Sequence, residues 1–146
     1  MARLTKYKRR RGTAAVEAAL MMPLVVLMTF ALIKFGWLYV KVQQINNAAR
    51  HGARVAVRAD SDNGTVQTEI DALMANVWPS GAGAPPDGWY TVTFEPGDVD
   101  GLAKGTIITI SIETNYAGTP LDIMPMPLVP VPASIGGTAS MAKEGT

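Results

Sequence analysis

One uninterrupted apolar stretch, residues 13–33, limits what this chain can fold into more than any other feature. Glu17 is the only ionisable residue among its 21 positions. At about 1.5 Å of rise per residue, a helix of this length spans a hydrocarbon core about 30 Å thick. Trp37, Tyr39 and Lys41 follow, as expected where a helix leaves the bilayer. The sequence therefore predicts a transmembrane helix segment over residues 13–40.

The charges on either side of this stretch predict its orientation. Six of the thirteen cationic residues precede Gly12, whereas seven cations and twelve acids follow it, so the remainder carries a formal charge of −5. Positive residues stay on the cytoplasmic side of a bilayer, which predicts a cytoplasmic N-terminus and an extracytoplasmic C-terminal part. A basic tip on an acidic body also argues against a nucleic-acid partner. The residues predicted to set the orientation are Lys6, Lys8, Arg9, Arg10 and Arg11.

Targeting signals and a simple anchor are the ordinary alternatives for such a stretch. A secretory signal has an apolar core of about 7–15 residues and a small-residue cleavage site, whereas this core is longer and has no such site. The arginines at 9–11 lack the flanking pattern of a twin-arginine signal. An uncleaved anchor explains the stretch but not Glu17. Near the bilayer edge, that residue is either an interfacial carboxylate facing headgroups or a functional group, and the chemistry alone leaves both interpretations open.

The residues around Gly12 carry a family resemblance. A basic leader, Gly12, a glutamate at the fifth position after it and an apolar helix resemble the type IV prepilin signal. The longer pattern of residues 12–23 and 43–54 resembles the TadE-like minor pilins, or pseudopilins, of tight-adherence (Flp) pilus systems. This resemblance implies that residues 1–12 are a leader, that a prepilin peptidase cuts between Gly12 and Thr13, and that Glu17 helps the subunit enter the filament.

The resemblance also implies a place and a role. The chain would be a single-pass protein of the bacterial inner membrane, incorporated with other pilin or pilus-assembly subunits, and would serve surface adhesion and biofilm formation. Cleavage would create an ammonium group on Thr13, and an ammonium and a carboxylate attract strongly in a low dielectric. We therefore expect the amine of one subunit to pair with Glu17 of a neighbour.

Beyond the span, the helical pattern continues to residue 58 with one apolar and one polar face. A helix over residues 13–58 would be about 70 Å long, with a kink expected at Pro23. The small residues of the apolar face fit either the chain's own sheet or a neighbouring helix. Arg50, Arg54 and Arg58 are either a solvated face or candidate partner-facing residues. The apolar face comprises Leu38, Val42, Ile45, Ala49, Gly52 and Ala56.

The C-terminal part predicts a small α+β head. Val66, Ile70, Leu73 and Val77 recur at helical spacing and indicate one short second helix. Alternation with a period of two then predicts about three antiparallel strands. The five prolines within 119–132 predict a loop over the sheet or an exposed segment for a partner. The strand positions are Tyr90, Val92 and Phe94, then Ile108, Ile110 and Ile112, then Ile135, Ala139 and Met141.

We therefore predict a leader (1–12), a transmembrane segment (13–40) and an extracytoplasmic head (41–146) in which the long helix packs on the sheet. The chain has no cysteine, one histidine and no nucleotide or nucleophile motif, so we expect no enzyme activity, cofactor, metal site or small-molecule substrate. The alternative function is an uncleaved bitopic anchor whose extracytoplasmic domain binds an envelope partner.

Overall fold

In the part of the chain that the structure describes, two helices and three strands follow one another in the order α1 (Tyr7–Ala56), α2 (Asn63–Met74), β1 (Tyr90–Glu95), β2 (Ile107–Asn115) and β3 (Ser134–Ala142). This computed structural model describes residues 7–80, 82, 88–124 and 127–144, with the side chains of 7–11 outside the description. The chain divides into two compact units, Met1–Gly36 and Trp37–Thr146. The observed elements confirm the predicted α+β class.

Helix α1 begins at Tyr7, earlier than predicted, and ends at Ala56, two residues before the predicted end. Pro23 lies inside it, and the kink expected there stays a prediction. Past Ala56 the chain turns, and the buried hydroxyl of Ser61 donates to the Val55 carbonyl at 2.5 Å. The same carbonyl, one of the last four of the helix, also accepts from the backbone N–H of Arg58 at 3.1 Å, so the turn after α1 is held by two donors.

Helix α2 begins at a capping residue. The carboxylate of Asp62 accepts a hydrogen bond of 2.7 Å from the backbone N–H of Thr65. Hydrogen bonding to the Thr65 side chain, and then to this N–H, lowers the pKa of Asp62. Val66, Ile70 and Met74 form the buried face of α2. Leu73, which shares the helical spacing used to predict α2, lies at the exposed rim because the buried positions recur every four residues.

The three strands form one antiparallel sheet in the order β1-β2-β3. Val92 pairs with Ile112, and Ile110 pairs with Ala139, so the predicted alternating residues share one face of the sheet. Ile108, Ile110 and Ile112 are buried there. On the other face, hydroxyl groups pair across β2 and β3, as for Thr109 and Ser140 at 2.8 Å.

The core of the head lies between this sheet, α2 and residues 37–56 of α1. Glycine permits the closest approach. A Cβ on Gly137 of β3 would lie 2.8 Å from the backbone N and Cα of Asn46 in α1, and a Cβ on Gly52 of α1 would lie 2.7 Å from the Cδ1 of Ile70. The helix backbone therefore rests directly against the strand, with no room for a side chain between them.

The proline-rich segment contains no strand among its described residues, as predicted. Leu121 and Val129 are buried in the head, whereas Ile123 and Leu128 are exposed. Residues 125–126 lie outside the described part. The segment is thus attached to the head by two buried side chains and presents apolar side chains to the outside.

Candidate processing and assembly segment

Gly12 and Thr13, the predicted cleavage pair, lie exposed within α1. A Cβ at Gly12 would meet nothing within 4 Å, and the residue has ordinary helical backbone rather than a positive φ. Packing and backbone conformation within the described chain therefore do not require glycine here. Glycine also costs a helix about 0.5–1 kcal/mol relative to alanine, so it weakens α1 locally at this position.

Glu17 lies one helical turn further on, and its side chain is exposed. Its neighbours along the helix, among them Val16, Leu20 and Met21, are exposed apolar residues. From Gly12 onward α1 is long and apolar enough to cross a membrane, and none of its most apolar window is buried in the protein. The Glu17 carboxylate therefore lies on an apolar helix surface that is exposed in the described chain.

A hydroxyl in this apolar stretch is satisfied internally. Thr29 donates from Oγ1 to the carbonyl of Val25, one turn earlier, at 2.8 Å. Such a bond lowers the cost of placing a polar group in hydrocarbon. Together with the exposed apolar side chains, it suits a helix surrounded by lipid or by other apolar helices, and so suggests membrane anchoring.

The residues predicted to set membrane orientation cannot be located in the same detail. Lys6 lies outside the described residues. Lys8, Arg9, Arg10 and Arg11 belong to the first turns of α1, but their side chains lie outside the description. Their role in orientation stays a prediction.

Arg50, Arg54 and Arg58 lie exposed along one side of the chain from α1 into the turn after it, away from the core. Among the described residues, none of the three forms an ion pair. The neighbouring His51 does contact a carboxylate, with Nε2 3.3 Å from Oε2 of Glu69 on α2. The arginine stripe is thus a positively charged surface on a head whose net charge is negative.

The small residues of the apolar face pack inside the chain's own head, which is the first of the two uses predicted for them. Ala49 and Ala56 are fully buried in the head, and Gly52 faces Ile70 and Ile110. These positions pack against α2 and the sheet of the same chain. They are therefore not available to a neighbouring helix.

Two lysines whose burial the sequence did not predict lie inside the head. The ammonium of Lys143 donates to the carbonyls of Ala56 at 3.1 Å and Val99 at 3.0 Å. Since Ala56 is the last residue of α1, this cation lies at the negative end of the helix dipole. Lys143 thereby joins the end of the chain to the end of α1 and to the β1–β2 connection.

Lys41 has a matching role at the opposite end of the head. Its ammonium donates to the carbonyl of Val77, just after α2, at 2.6 Å, and lies 4.6 Å from the ring centre of Trp37. Burial lowers the pKa of Lys41. The sequence pattern places Lys41 where the helix leaves the membrane, but its side chain is buried in the interior of the head.

A signal for both lysines was present in the sequence. Lys41 lies three residues after Leu38 and four before Ile45, and Lys143 continues the inward positions 135, 137, 139 and 141 of β3. In the described part of the chain, no group of three or more metal-binding side chains comes together.

A comparison with protein families addresses the N-terminal segment. Residues 12–54 match the family model of TadE-like proteins. No curated protein and no solved structure matches the chain. The matched region contains the candidate membrane span and most of the amphipathic part of α1, and leaves α2 and the three strands outside it. The resemblance to TadE-like proteins is therefore confirmed over residues 12–54.

Proposed function

We propose that this chain is a pilin-like structural subunit required for assembly of a tight-adherence (Flp) pilus and thereby for surface adhesion and biofilm formation. The observation that carries the proposal is an uncovered apolar helix that begins beside Gly12 and carries Glu17, inside a stretch that matches TadE-like proteins from residue 12 onward. Because such pilus proteins are structural, we infer that the chain is an assembly component rather than an enzyme.

The first step in this function is removal of the leader, residues 1–12, by a prepilin peptidase. Gly12 supports this step because nothing in the described chain explains a glycine there, so the requirement is assigned to another protein's active site. The bond lies within α1, and a peptidase needs extended backbone. The weak helical preference of Gly12 lowers the cost of local unwinding.

The second step is entry of the matured subunit into the assembly. Cleavage leaves an ammonium on Thr13, four residues before Glu17. A unit charge pair about 4 Å apart is worth about 4 kcal/mol at an effective dielectric of 20, and in an apolar helix bundle each charge alone would be costly. Pairing the amine of one subunit with Glu17 of the next therefore fixes the axial position of adjacent helices.

The cationic residues of the chain act at two other surfaces. The basic N-terminus holds the leader on the cytoplasmic side of the inner membrane, through Lys6 and the cations at positions 8–11. The stripe of Arg50, Arg54 and Arg58 then faces acidic surfaces of other pilus subunits. Their exposure and the lack of an ion pair among the described residues support this assignment.

Substitution of Glu17 tests the assembly step. We expect Glu17→Ala to insert and to lose its leader normally, but to be missing from sheared pilus material and from complexes cross-linked to other pilus subunits. A matched control keeps one carboxylate in the span but turns it by about 100° around the helix: the double variant Glu17→Ala, Ala18→Glu. We expect this variant to fail as well, and normal incorporation of Glu17→Ala would contradict the proposal.

The competing function is an uncleaved bitopic anchor whose head binds an envelope partner. It shares the candidate membrane span and differs in the fate of the N-terminus. A mature chain that begins at Thr13 supports the assembly subunit, whereas a chain that keeps residues 1–12 supports the anchor.

A further inference from the structure

The end of the head that is nearest in sequence to the predicted span is marked by Trp37. Its indole N–H donates to the carbonyl of Leu121, at the start of the proline-rich segment, at 2.8 Å. Trp37 is four residues from Ile33, the last residue of the apolar stretch 13–33, and four trans peptide units reach at most about 15 Å. Leu121 is thus hydrogen-bonded to a residue that the chain ties closely to the bilayer surface.

The opposite end of the head is marked by Lys143. Its ammonium contacts the carbonyl of Ala56, which is 19 residues beyond Trp37 in α1. At about 1.5 Å per residue, the two ends of the head are separated by about 28 Å along the helix. Ile107 lies at this second end, because it pairs with Ala142, the residue before Lys143.

The loop from Asn115 to Ser134 leaves the sheet at the end away from Ile107 and Ala142, and it carries exposed apolar side chains. Leu128 is 74% exposed and Ile123 is 43% exposed, and on the adjacent part of α1 Tyr39 is 64% exposed. The sequence from 123 to 133 contains no charged residue, although loops that face water are mostly polar. A tyrosine at this level is typical of the bilayer interface.

The backbone of the segment also suits a partly apolar environment. Four of the ten residues from 123 to 132 are prolines. Proline has no N–H group, so fewer donors lose their water when the segment approaches lipid. A regular polar loop would need a partner for every one of these groups.

We propose that Ile123 and Leu128 contact the outer surface of the membrane that anchors the chain, so that this end of the head rests on lipid. The partner is a lipid surface, bound through apolar side chains at the headgroup boundary. The proposal rests on the membrane span at residues 13–33 and applies to the membrane-resident protein. It does not depend on leader cleavage or on entry into a pilus.

The lack of cysteine in the chain permits a direct test. A nitroxide is attached to Leu128→Cys in the full chain, reconstituted in phospholipid vesicles, and its collisions with oxygen, which concentrates in lipid, are compared with those of a water-soluble nickel chelate. The matched control is Ile107→Cys, which replaces an apolar residue of similar exposure, 65%, at the far end of the head. We expect the label at 128 to favour oxygen and the label at 107 to favour the chelate.

Ile123→Cys is a second labelling site in case Leu128→Cys does not fold, as judged by tryptophan fluorescence. We expect Ile123→Cys to favour oxygen as well. Equal access of the chelate to the labels at 123, 128 and 107 would overturn the proposal. Protection at 128 that disappears when the protein is diluted in excess lipid would also overturn it, because a second copy of the chain would then be the partner.

Discussion

The two halves of α1 differ in how many apolar side chains they carry, in how these are arranged and in whether they are buried. In residues 13–36 apolar side chains occur all around the helix and most are exposed, as for Leu20 at 75%. In residues 41–56 they are fewer, lie on the side that packs against the core and are buried or half-buried, as for Ile45 at 0%. An apolar surface all around a helix suits a lipid-facing segment, whereas an apolar face opposite a polar one suits a helix that packs on its own domain.

Glycine shows the same contrast. A side chain added at Gly36 would meet nothing within 4 Å, whereas one added at Gly52 or opposite the helix at Gly137 would collide with neighbours. In the second half the fold itself requires glycine. In the first half, any requirement for glycine must come from outside the described chain.

The largest effect is expected from alanine at Gly137, with Gly36→Ala as the control. The new methyl group would lie 2.8 Å from the backbone of Asn46, which cannot move aside as a flexible side chain can, so we expect a loss of about 3 kcal/mol in the free energy of unfolding. Gly36→Ala should leave the head unchanged. All three tryptophans lie in the head, so denaturation followed by their fluorescence measures the difference, and equal stability of the two variants would break the contrast.

A smaller effect is expected from Lys143→Met. It leaves the carbonyls of Ala56 and Val99 without their donor, and a buried unsatisfied acceptor costs about 1–3 kcal/mol. Because removal of a buried charge offsets part of this cost, we expect a net loss of about 2 kcal/mol. Lys41→Met removes one hydrogen bond and should cost about 1 kcal/mol, while the exposed Lys104→Met should change stability by less than about 0.5 kcal/mol. The same denaturation experiment ranks them, and a Lys143→Met protein as stable as Lys104→Met would refute the capping role.

The smallest effect is the dependence of head stability on alkaline pH. Burial raises the pKa of Tyr90 and of Tyr116, helped at Tyr90 by its hydrogen bond to Asp71 and at Tyr116 by the charge of Asp122. The unfolded chain therefore loses these protons first, so stability present below about pH 10 falls as the pH rises above it.

Lys41 acts in the opposite direction, because its lowered pKa makes the unfolded state bind more protons up to about pH 10.4. We expect a shallow net fall above pH 10, at most about 1.4 kcal/mol per pH unit for each tyrosine. Tyr90→Phe should make this fall shallower, and urea titrations between pH 8 and 11 measure it. Identical pH profiles for the two proteins would exclude a contribution from Tyr90.

Features that depend on the local spacing of apolar residues could be predicted from the sequence. The isoleucines at 108, 110 and 112 alternate and line the inner face of β2, and the helical spacing of Ile45, Ala49 and Ala56 places them in the core. The helical spacing in α2 pointed to Leu73, whereas Met74 is the buried residue, because two neighbouring apolar residues both fit a period of 3.6. Local patterns cannot decide between such neighbours without the packing partner.

The features that could not be predicted from the sequence depend on contacts between residues that are far apart in the chain. The bond from Trp37 to Leu121 joins positions 84 residues apart, and that from Lys143 to Ala56 joins positions 87 residues apart. Gly12 and Glu17 of the candidate site were identified from the sequence. The structure adds that both are exposed on α1 and that packing of the described chain does not explain the glycine at position 12. The partners proposed for both residues belong to other proteins, so a single chain does not reveal them.

Maturation at Gly12 is tested most directly by the intact mass and N-terminal sequence of the chain extracted from membranes of a cell that carries the pilus system. The wild-type protein should begin at Thr13. Gly12→Leu should retain all twelve leader residues, whereas Gly36→Leu, at a helix position that is equally open, should still be cut. A wild-type chain that retains the leader, or a Gly12→Leu chain that begins at Thr13, would contradict the proposed role as a processed pilus subunit.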